Sequence, residues 1–166
     1  MSSVTQPTEN DRQYLRRCLD LAREALDNSD EPFGSLLIDA QGQELFADRN
    51  RVSGGDHTRH PEFAIARWAA QNLSPEQRHT ATVYTSGEHC PMCSAAHALV
   101  GLGRIVYASS SAQLAHWHHQ WDIPAGPVVT LAINDVAPTI EVAGPDESLA
   151  EEIRQLHAQL HGIAQP

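Results

Sequence analysis

Basic residues, cysteines and long apolar runs are all scarce in this sequence. Its 166 residues include 11 Lys and Arg against 21 Asp and Glu, which gives a formal net charge of −10. Affinity for nucleic acids depends on Lys and Arg side chains that meet phosphates. The charge therefore argues against tRNA, or any other long polyanion, as a partner.

No apolar run approaches the roughly 20 residues that a membrane-spanning helix needs. Residues 1–10 also lack the basic and apolar regions of a signal peptide. We therefore expect a cytoplasmic protein that does not span a membrane.

The three cysteines cannot all pair with one another. Cys90 and Cys93 have the spacing of metal ligands, which argues against a disulfide framework, and Cys18 is predicted to be simply buried. A hydrophobic content of 41% over 166 residues suffices for one core. The prediction is a single domain over 1–166, with its core at about 9–135 and a C-terminal helix at 146–161.

The apolar pattern predicts a sheet covered by helices. A capping box at 8–11 starts a first helix, and a hairpin of two strands follows it. Strands are predicted at 34–39, 44–48, 81–86, 104–108 and 128–133, and buried helices at 61–73 and 90–100. A strand, helix, strand order is typical of a parallel crossover, with binding sites at the carboxyl ends of the strands. We expect a three-layer α/β/α fold with a mixed five-stranded sheet.

Two short segments carry the chemistry. Cys90 and Cys93 are separated by two residues, so both can reach one metal ion from the first turn of a helix, and His60 can supply a third ligand. Structural zinc sites usually have four protein ligands, whereas a catalytic zinc has three and keeps a position for water. Glu62 follows His60 by two residues and would lie beside that water as the proton carrier.

This combination resembles the zinc-dependent cytidine deaminase superfamily, whose signature is H-x-E followed by P-C-x-x-C. His60, Cys90 and Cys93 match its zinc ligands, and Glu62 matches its acid/base glutamate. The resemblance covers about residues 31–110. It is strongest to the branch of guanine deaminases, small cytosine deaminases and tRNA adenosine deaminases, through these residues: Pro32-Phe33-Gly34, Asn50, Asp56, Thr58 and Glu88 to Cys93.

The resemblance implies a zinc-dependent hydrolytic deaminase that is a homodimer. Zinc would lower the pKa of a bound water to about 7, and Glu62 would pass protons to the ring nitrogen and to the departing ammonia. Guanine or a related aminated purine is the favoured substrate. Cytosine, a nucleoside and an aminotriazine-like ring remain open.

Five side chains are candidates for contacts with the substrate. The resemblance implies that Asn50 forms a hydrogen bond to it, and Phe33 belongs to the same matching segment. His89 is interpreted as a pocket residue. Trp117 and Trp121 lie in a segment rich in His and Trp, which could line a pocket for a flat heterocycle or pack at a subunit contact.

Two other interpretations of the central motif remain. A C-x-x-C pair at a helix start also occurs in redox proteins, but this leaves His60 and Glu62 without a role. A closed structural zinc would recruit His97 as the fourth ligand, four residues after Cys93. His57 and His89 could also approach the metal.

Overall fold

The first helix packs closely on the first strand. The structure, a computed structural model, describes residues 4–164. Helix α1 (Glu9–Asp27) begins at the predicted capping box, in which the Thr8 hydroxyl accepts from the Asp11 backbone N–H at 3.2 Å. A Cβ atom at Gly34 would lie 2.4 Å from the Cys18 carbonyl oxygen, so only glycine permits this approach of helix and strand.

Five strands form one sheet in the order β2-β1-β3-β4-β5. Their bounds are β1 Gly34–Ile38, β2 Glu44–Arg49, β3 Thr82–Gly87, β4 Ile105–Ser109 and β5 Val142–Ala143. Strand β1 pairs antiparallel with both β2 and β3, whereas β3, β4 and β5 run parallel. The predicted hairpin, the parallel crossover and the mixed five-stranded sheet are confirmed.

Helices cover both faces of the sheet. They are α2 Pro61–Asn72, α3 Pro75–Thr80, α4 Pro91–Leu99, α5 Ser111–Gln120, α6 Ile133–Val136 and α7 Glu147–Leu160. Leu15, Trp117 and Ile153 bring α1, α5 and α7 onto one face, and Ile65 brings α2 onto the other. The three-layer prediction is therefore confirmed. Among residues 4–164, no helix is long and apolar enough to cross a membrane.

The predicted strand at 128–133 is wrong. Val128 and Val129 are 58% and 67% exposed and form no strand, and Ile133 instead begins the short helix α6. The fifth strand is Val142–Ala143, which pairs with Ile105 and Val106 of β4. Two residues are too few to show an alternating pattern, whereas an apolar run in a loop imitates a buried strand.

A buried ion pair ties α1 to the sheet. The Asp11 carboxylate is 2% exposed and accepts from both terminal nitrogens of the Arg104 guanidinium, at 2.9 and 3.0 Å. The Tyr84 hydroxyl donates to it at 2.9 Å. Burial raises the pKa of Asp11, but hydrogen bonds from Arg104, the Thr8 backbone and Tyr84 outweigh it and lower the pKa to about 2.

We predict that Arg104→Met lowers the free energy of unfolding by about 3 kcal/mol, because it leaves the Asp11 charge buried without its cation. Urea unfolding at pH 7 measures this loss. Arg16→Met is the matched control, since Arg16 is 65% exposed and its pair with Glu152 is at the surface. The folded pKa of Asp11 lies below its ordinary value of 3.8. The stability that the ionised Asp11 carboxylate adds to the fold is therefore complete above about pH 4 and is lost as the pH falls towards 2. Equal losses in the two variants would contradict the prediction.

Candidate active site

Two helices that begin with proline position the predicted metal ligands. His60 precedes Pro61 of α2, and Cys90 precedes Pro91 of α4, and both residues have extended backbone. Proline favours the first helical position and disfavours helical backbone in the residue before it. His60 and Cys90 therefore lie at the ends of their helices, which pack against each other.

The three donor atoms form one group. His60 Nδ1 lies 3.6 Å from Cys90 Sγ and 3.6 Å from Cys93 Sγ, and all three atoms lie within 4.8 Å of one another. Zinc bonds of about 2.0 Å to nitrogen and about 2.3 Å to sulfur at tetrahedral angles place these atoms about 3.6 Å apart. The donor set therefore fits zinc in chemistry and in spacing.

Each donor alters the ionisation of its neighbours. A hydrogen bond with Cys93, supported by one with His60, lowers the pKa of Cys90 to about 4. The same contact with Cys90, together with burial, raises the pKa of Cys93. The pKa of His60 is raised to about 9 by its hydrogen bond to Cys90. The first turn of a helix also favours a thiolate, which is the form that binds a metal.

The other histidines considered in the sequence lie apart from this group. His97 Nε2 donates to the Gly103 carbonyl at 2.7 Å, and its ring packs edge-on against His89. His57 is exposed at the surface. Within residues 4–164, the only metal-binding group of three or more consists of His60, Cys90 and Cys93. The closed structural site with His97 as fourth ligand is therefore wrong.

Glu62 lies in the first turn of α2 and is 6% exposed. Its Oε1 atom is 2.9 Å from Thr85 Oγ1 and 3.2 Å from Ser35 Oγ, both buried hydroxyls of the sheet. Burial raises the pKa of Glu62. The sequence interpretation missed Ser35 and Thr85. The available signal was a serine inside the otherwise apolar strand β1.

Glu62 shares a cavity with His60 and Cys90, which we call the catalytic cavity. Its wall includes the ends of β3 and β4, one side of α5 and the loop 128–131. The residues that line it are Glu31, Phe33, His60, Pro61, Glu62, Gly87, Glu88, Cys90, Pro91, Ser109, Ser110, Ser111, Leu114, Ala115, His118, Val128, Val129, Thr130 and Leu131. The exposed valines of the failed strand prediction thus belong to the cavity wall.

Phe33 lies in the cavity wall, and its role in binding a substrate stays a prediction. Its ring packs against the backbone of Gly87, so that a Cβ atom at Gly87 would lie 2.8 Å from the ring. Helix α5 forms another part of the wall. The apolar Leu114 and the polar His118 lie one helical turn apart there, on the side that faces the cavity.

Both tryptophans and His89 require a correction, because they lie outside the catalytic cavity. Trp117 is 7% exposed and packs into the core beneath α5, and Trp121 packs against the same core with Arg154 above its ring. His118, adjacent to Trp117 in sequence, faces the cavity instead, because successive helical residues point about 100° apart. His89 is 1% exposed and its ring packs against that of His97.

Asn50 is fully buried beside the cavity and is not part of its wall. Its Oδ1 atom accepts from the backbone N–H groups of Glu31 at 3.3 Å and Val52 at 3.1 Å. Its Nδ2 atom has no hydrogen-bond partner in the part of the chain that the structure describes. A role for this donor in binding a substrate stays a prediction.

Sequence comparisons with known proteins point to the same kind of site. The family model for the cytidine and deoxycytidylate deaminase zinc-binding region matches residues 8–110. A probable cytosine deaminase from Schizosaccharomyces pombe is 31% identical over 112 residues, which cover 68% of each chain. Guanine deaminase from Bacillus subtilis is 31% identical over 85 residues, which cover 51% of this chain and 54% of that protein.

Some relatives are much longer proteins. A tRNA(Ile)-lysidine synthase from Deinococcus radiodurans is 30% identical over 110 residues, which are 66% of this chain and only 19% of that protein.

Solved structures share the fold. A structure of guanine deaminase from Nitrosomonas europaea superposes with a TM-score of 0.70 at 18% identity, covering 96% of this chain and 87% of that one. The family match, together with the three convergent zinc donors, overturns the redox interpretation of Cys90 and Cys93. The chain belongs to the zinc-dependent cytidine and deoxycytidylate deaminase family and is a hydrolytic enzyme that removes an amino group from a cyclic amidine.

Proposed function

We propose that this enzyme deaminates a free nucleobase or nucleoside, with guanine or a related aminated purine favoured, and releases ammonia. The observation that carries the proposal is the composition of the catalytic cavity. It brings the Glu62 carboxyl group together with His60 and Cys90 in a cavity that also has apolar wall residues such as Phe33 and Leu114, and no arginine among residues 4–164 lines it.

In this proposal, His60 Nδ1, Cys90 Sγ and Cys93 Sγ hold the metal. Bound zinc lowers the pKa of a water molecule to about 7 and so supplies the nucleophile at neutral pH. Glu62 accepts a proton from the attacking water and delivers it to the ring nitrogen. It then transfers a second proton to the amino group, which leaves as ammonia while the ring carbon becomes a carbonyl.

The environment of Glu62 suits both of its tasks, which are to accept a proton and to donate one. A carboxylate with an ordinary pKa is a weak acid catalyst at neutral pH, because it is almost never protonated. Burial raises the pKa of Glu62 and so increases its ability to return the proton that it has taken.

The charges of the cavity favour a neutral substrate. Besides Glu62, its walls carry two further carboxylates, Glu31 and Glu88, and among residues 4–164 a phosphate would meet no arginine there. Glu88 is occupied, since it accepts from the backbone N–H groups of Ser111 at 2.8 Å and Ile133 at 2.9 Å. No described residue donates a hydrogen bond to the Glu31 side chain. Its carboxylate is therefore suited to accept from the N–H groups of an aminated ring.

Guanine is favoured over cytosine by the matching segments around Phe33 and Cys90, and by the similarity to guanine deaminase from Bacillus subtilis. The similarity to a probable cytosine deaminase supports cytosine as the second candidate. An aminotriazine ring has the same amidine group and belongs in the same test. A screen for ammonia release over these compounds separates them. If none is deaminated, the substrate proposal fails.

We expect Glu62→Gln to keep its fold and zinc while turnover falls by ~10²-fold or more, because the amide has nearly the same size but cannot carry a proton. The measurement is ammonia release from the best substrate of the screen, with zinc content measured in parallel. Glu76→Gln, on the exposed helix α3, is the matched control and should retain full activity. Near wild-type turnover of Glu62→Gln would show that another group carries the proton.

The purified enzyme should contain about one zinc per chain. His60→Ala, Cys90→Ala and Cys93→Ala should each lose most of it, because two protein ligands hold zinc far less tightly than three. Elemental analysis after dialysis measures the metal. Cys18→Ala is the control. Cys18 is buried in the core and is not one of the three donors, so this variant should keep its zinc. Full occupancy in Cys93→Ala would rule out this ligand set.

We also propose that the enzyme is a homodimer, as the resemblance to its branch of the family implies. Within the tryptophan-rich segment, Trp117 is buried inside the chain and is therefore not available for the contact. Leu99, at the end of α4, is 87% exposed and is the best candidate for a contact residue. Sedimentation at micromolar concentration should give a dimer for the wild type and a weaker one for Leu99→Glu. A wild-type monomer would refute the proposal.

Nucleic acid is not expected as a partner, although relatives include tRNA-specific adenosine deaminases such as that of Agrobacterium fabrum. The reasons are the net charge of −10 and the absence of arginine from the cavity wall. Incubation of the enzyme with tRNA, followed by nucleoside analysis, should yield no inosine.

A further inference from the structure

Two buried hydroxyl groups face the proton carrier from the sheet. Ser35 and Thr85 are both 0% exposed and lie directly opposite each other on the paired strands β1 and β3. Side chains at such positions point to the same face of a sheet. Here that face is the one covered by α2, so both hydroxyls lie beneath the Glu62 carboxyl group.

The contacts form a connected chain. Thr85 Oγ1 is 2.9 Å from Glu62 Oε1 and 2.9 Å from the Gly87 carbonyl oxygen. Ser35 Oγ is 2.9 Å from Thr85 Oγ1 and 3.2 Å from Glu62 Oε1. Each hydroxyl has one proton to donate, so not all four contacts can be hydrogen bonds at once. The shortest set that reaches the carboxylate runs from Ser35 to Thr85 and from Thr85 to Glu62.

The fold does not need the contact to Glu62. Thr85 can donate to the Gly87 carbonyl and Ser35 can donate to Thr85, and this satisfies both hydroxyl protons without the carboxylate. A buried serine and threonine in adjacent strands would then be stable on their own. The approach of Glu62 to this pair is therefore a feature of the site.

We propose that Ser35 and Thr85 are positioning residues that hold Oε1 of Glu62 and leave its other oxygen for proton transfer. Thr85 contacts the carboxyl group directly, and Ser35 orients the Thr85 hydroxyl. The inference rests on the proposed role of Glu62 and deepens it. A fixed carboxyl group transfers protons more effectively than one that must find its position in each cycle.

The first test replaces the hydroxyl of Thr85 and then restores it. Thr85→Val has nearly the same shape and should lower kcat by ~10-fold or more, as expected for the loss of a hydrogen bond to a charged group, with KM and zinc content close to wild type. Thr85→Ser keeps the hydroxyl and should restore kcat to within about 3-fold. Thr82→Val, the same change at the start of β3, is the matched control and should leave kcat unaltered.

The second test measures whether Thr85 acts through Glu62. In the Glu62→Gln background, Thr85→Val should cause little further loss, because the group that Thr85 positions is already inactive. Equal loss in both backgrounds would overturn the inference, and so would an unaltered kcat in Thr85→Val. If Thr85→Val does not fold or loses zinc, Ser35→Ala becomes the test. We expect it to lower kcat by less than Thr85→Val would. An unaltered kcat in Ser35→Ala would then contradict the inference.

These outcomes separate the inference from the proposed function. If Glu62→Gln retains wild-type turnover, the proposed function fails, whatever the effect at Thr85. If Glu62→Gln is impaired and Thr85→Val is not, the proton carrier stands and only the positioning role is lost.

Discussion

The active site depends on the packing of two helix starts against each other. Pro61 and Pro91 end the extended segments before them and begin α2 and α4, so that His60 and Cys90 lie at the tips of the two helices. Their donor atoms then approach to 3.6 Å although they are 30 residues apart in sequence. The sheet beneath supplies the rest, since α2 carries Glu62 down onto the hydroxyls of β1 and β3.

Features with a strong local signal could be predicted from the sequence. The capping box at Thr8, the helices that begin at Pro61 and Pro91, and the crossover from β3 to β4 each depend on residues close together in the chain. The approach of His60 to the cysteines has no such signal. It was expected because the spacing resembles a known family, and the structure supplies the distances.

The incorrect predictions have a common physical origin. The sequence shows which side chains are apolar, but it does not show whether they pack in the core or line a cavity. Val128 and Val129 look like strand residues, yet they line a cavity and are largely exposed. Trp117 and His118 are neighbours on α5, and the phase of that helix sends the tryptophan into the core and the histidine to the cavity. Ser35 was unremarked because a single serine in a strand has no local meaning without its partner on β3.

Two of the buried carboxylates in this acidic chain show why one of them is suited to catalysis. Asp11 is held by the Arg104 guanidinium, whose positive charge opposes a proton on Asp11, and its pKa is lowered to about 2. Glu62 is held by the neutral hydroxyls of Thr85 and Ser35, and burial raises its pKa. The partners of a buried carboxylate therefore decide whether it stays a fixed charge or can exchange a proton in each catalytic cycle.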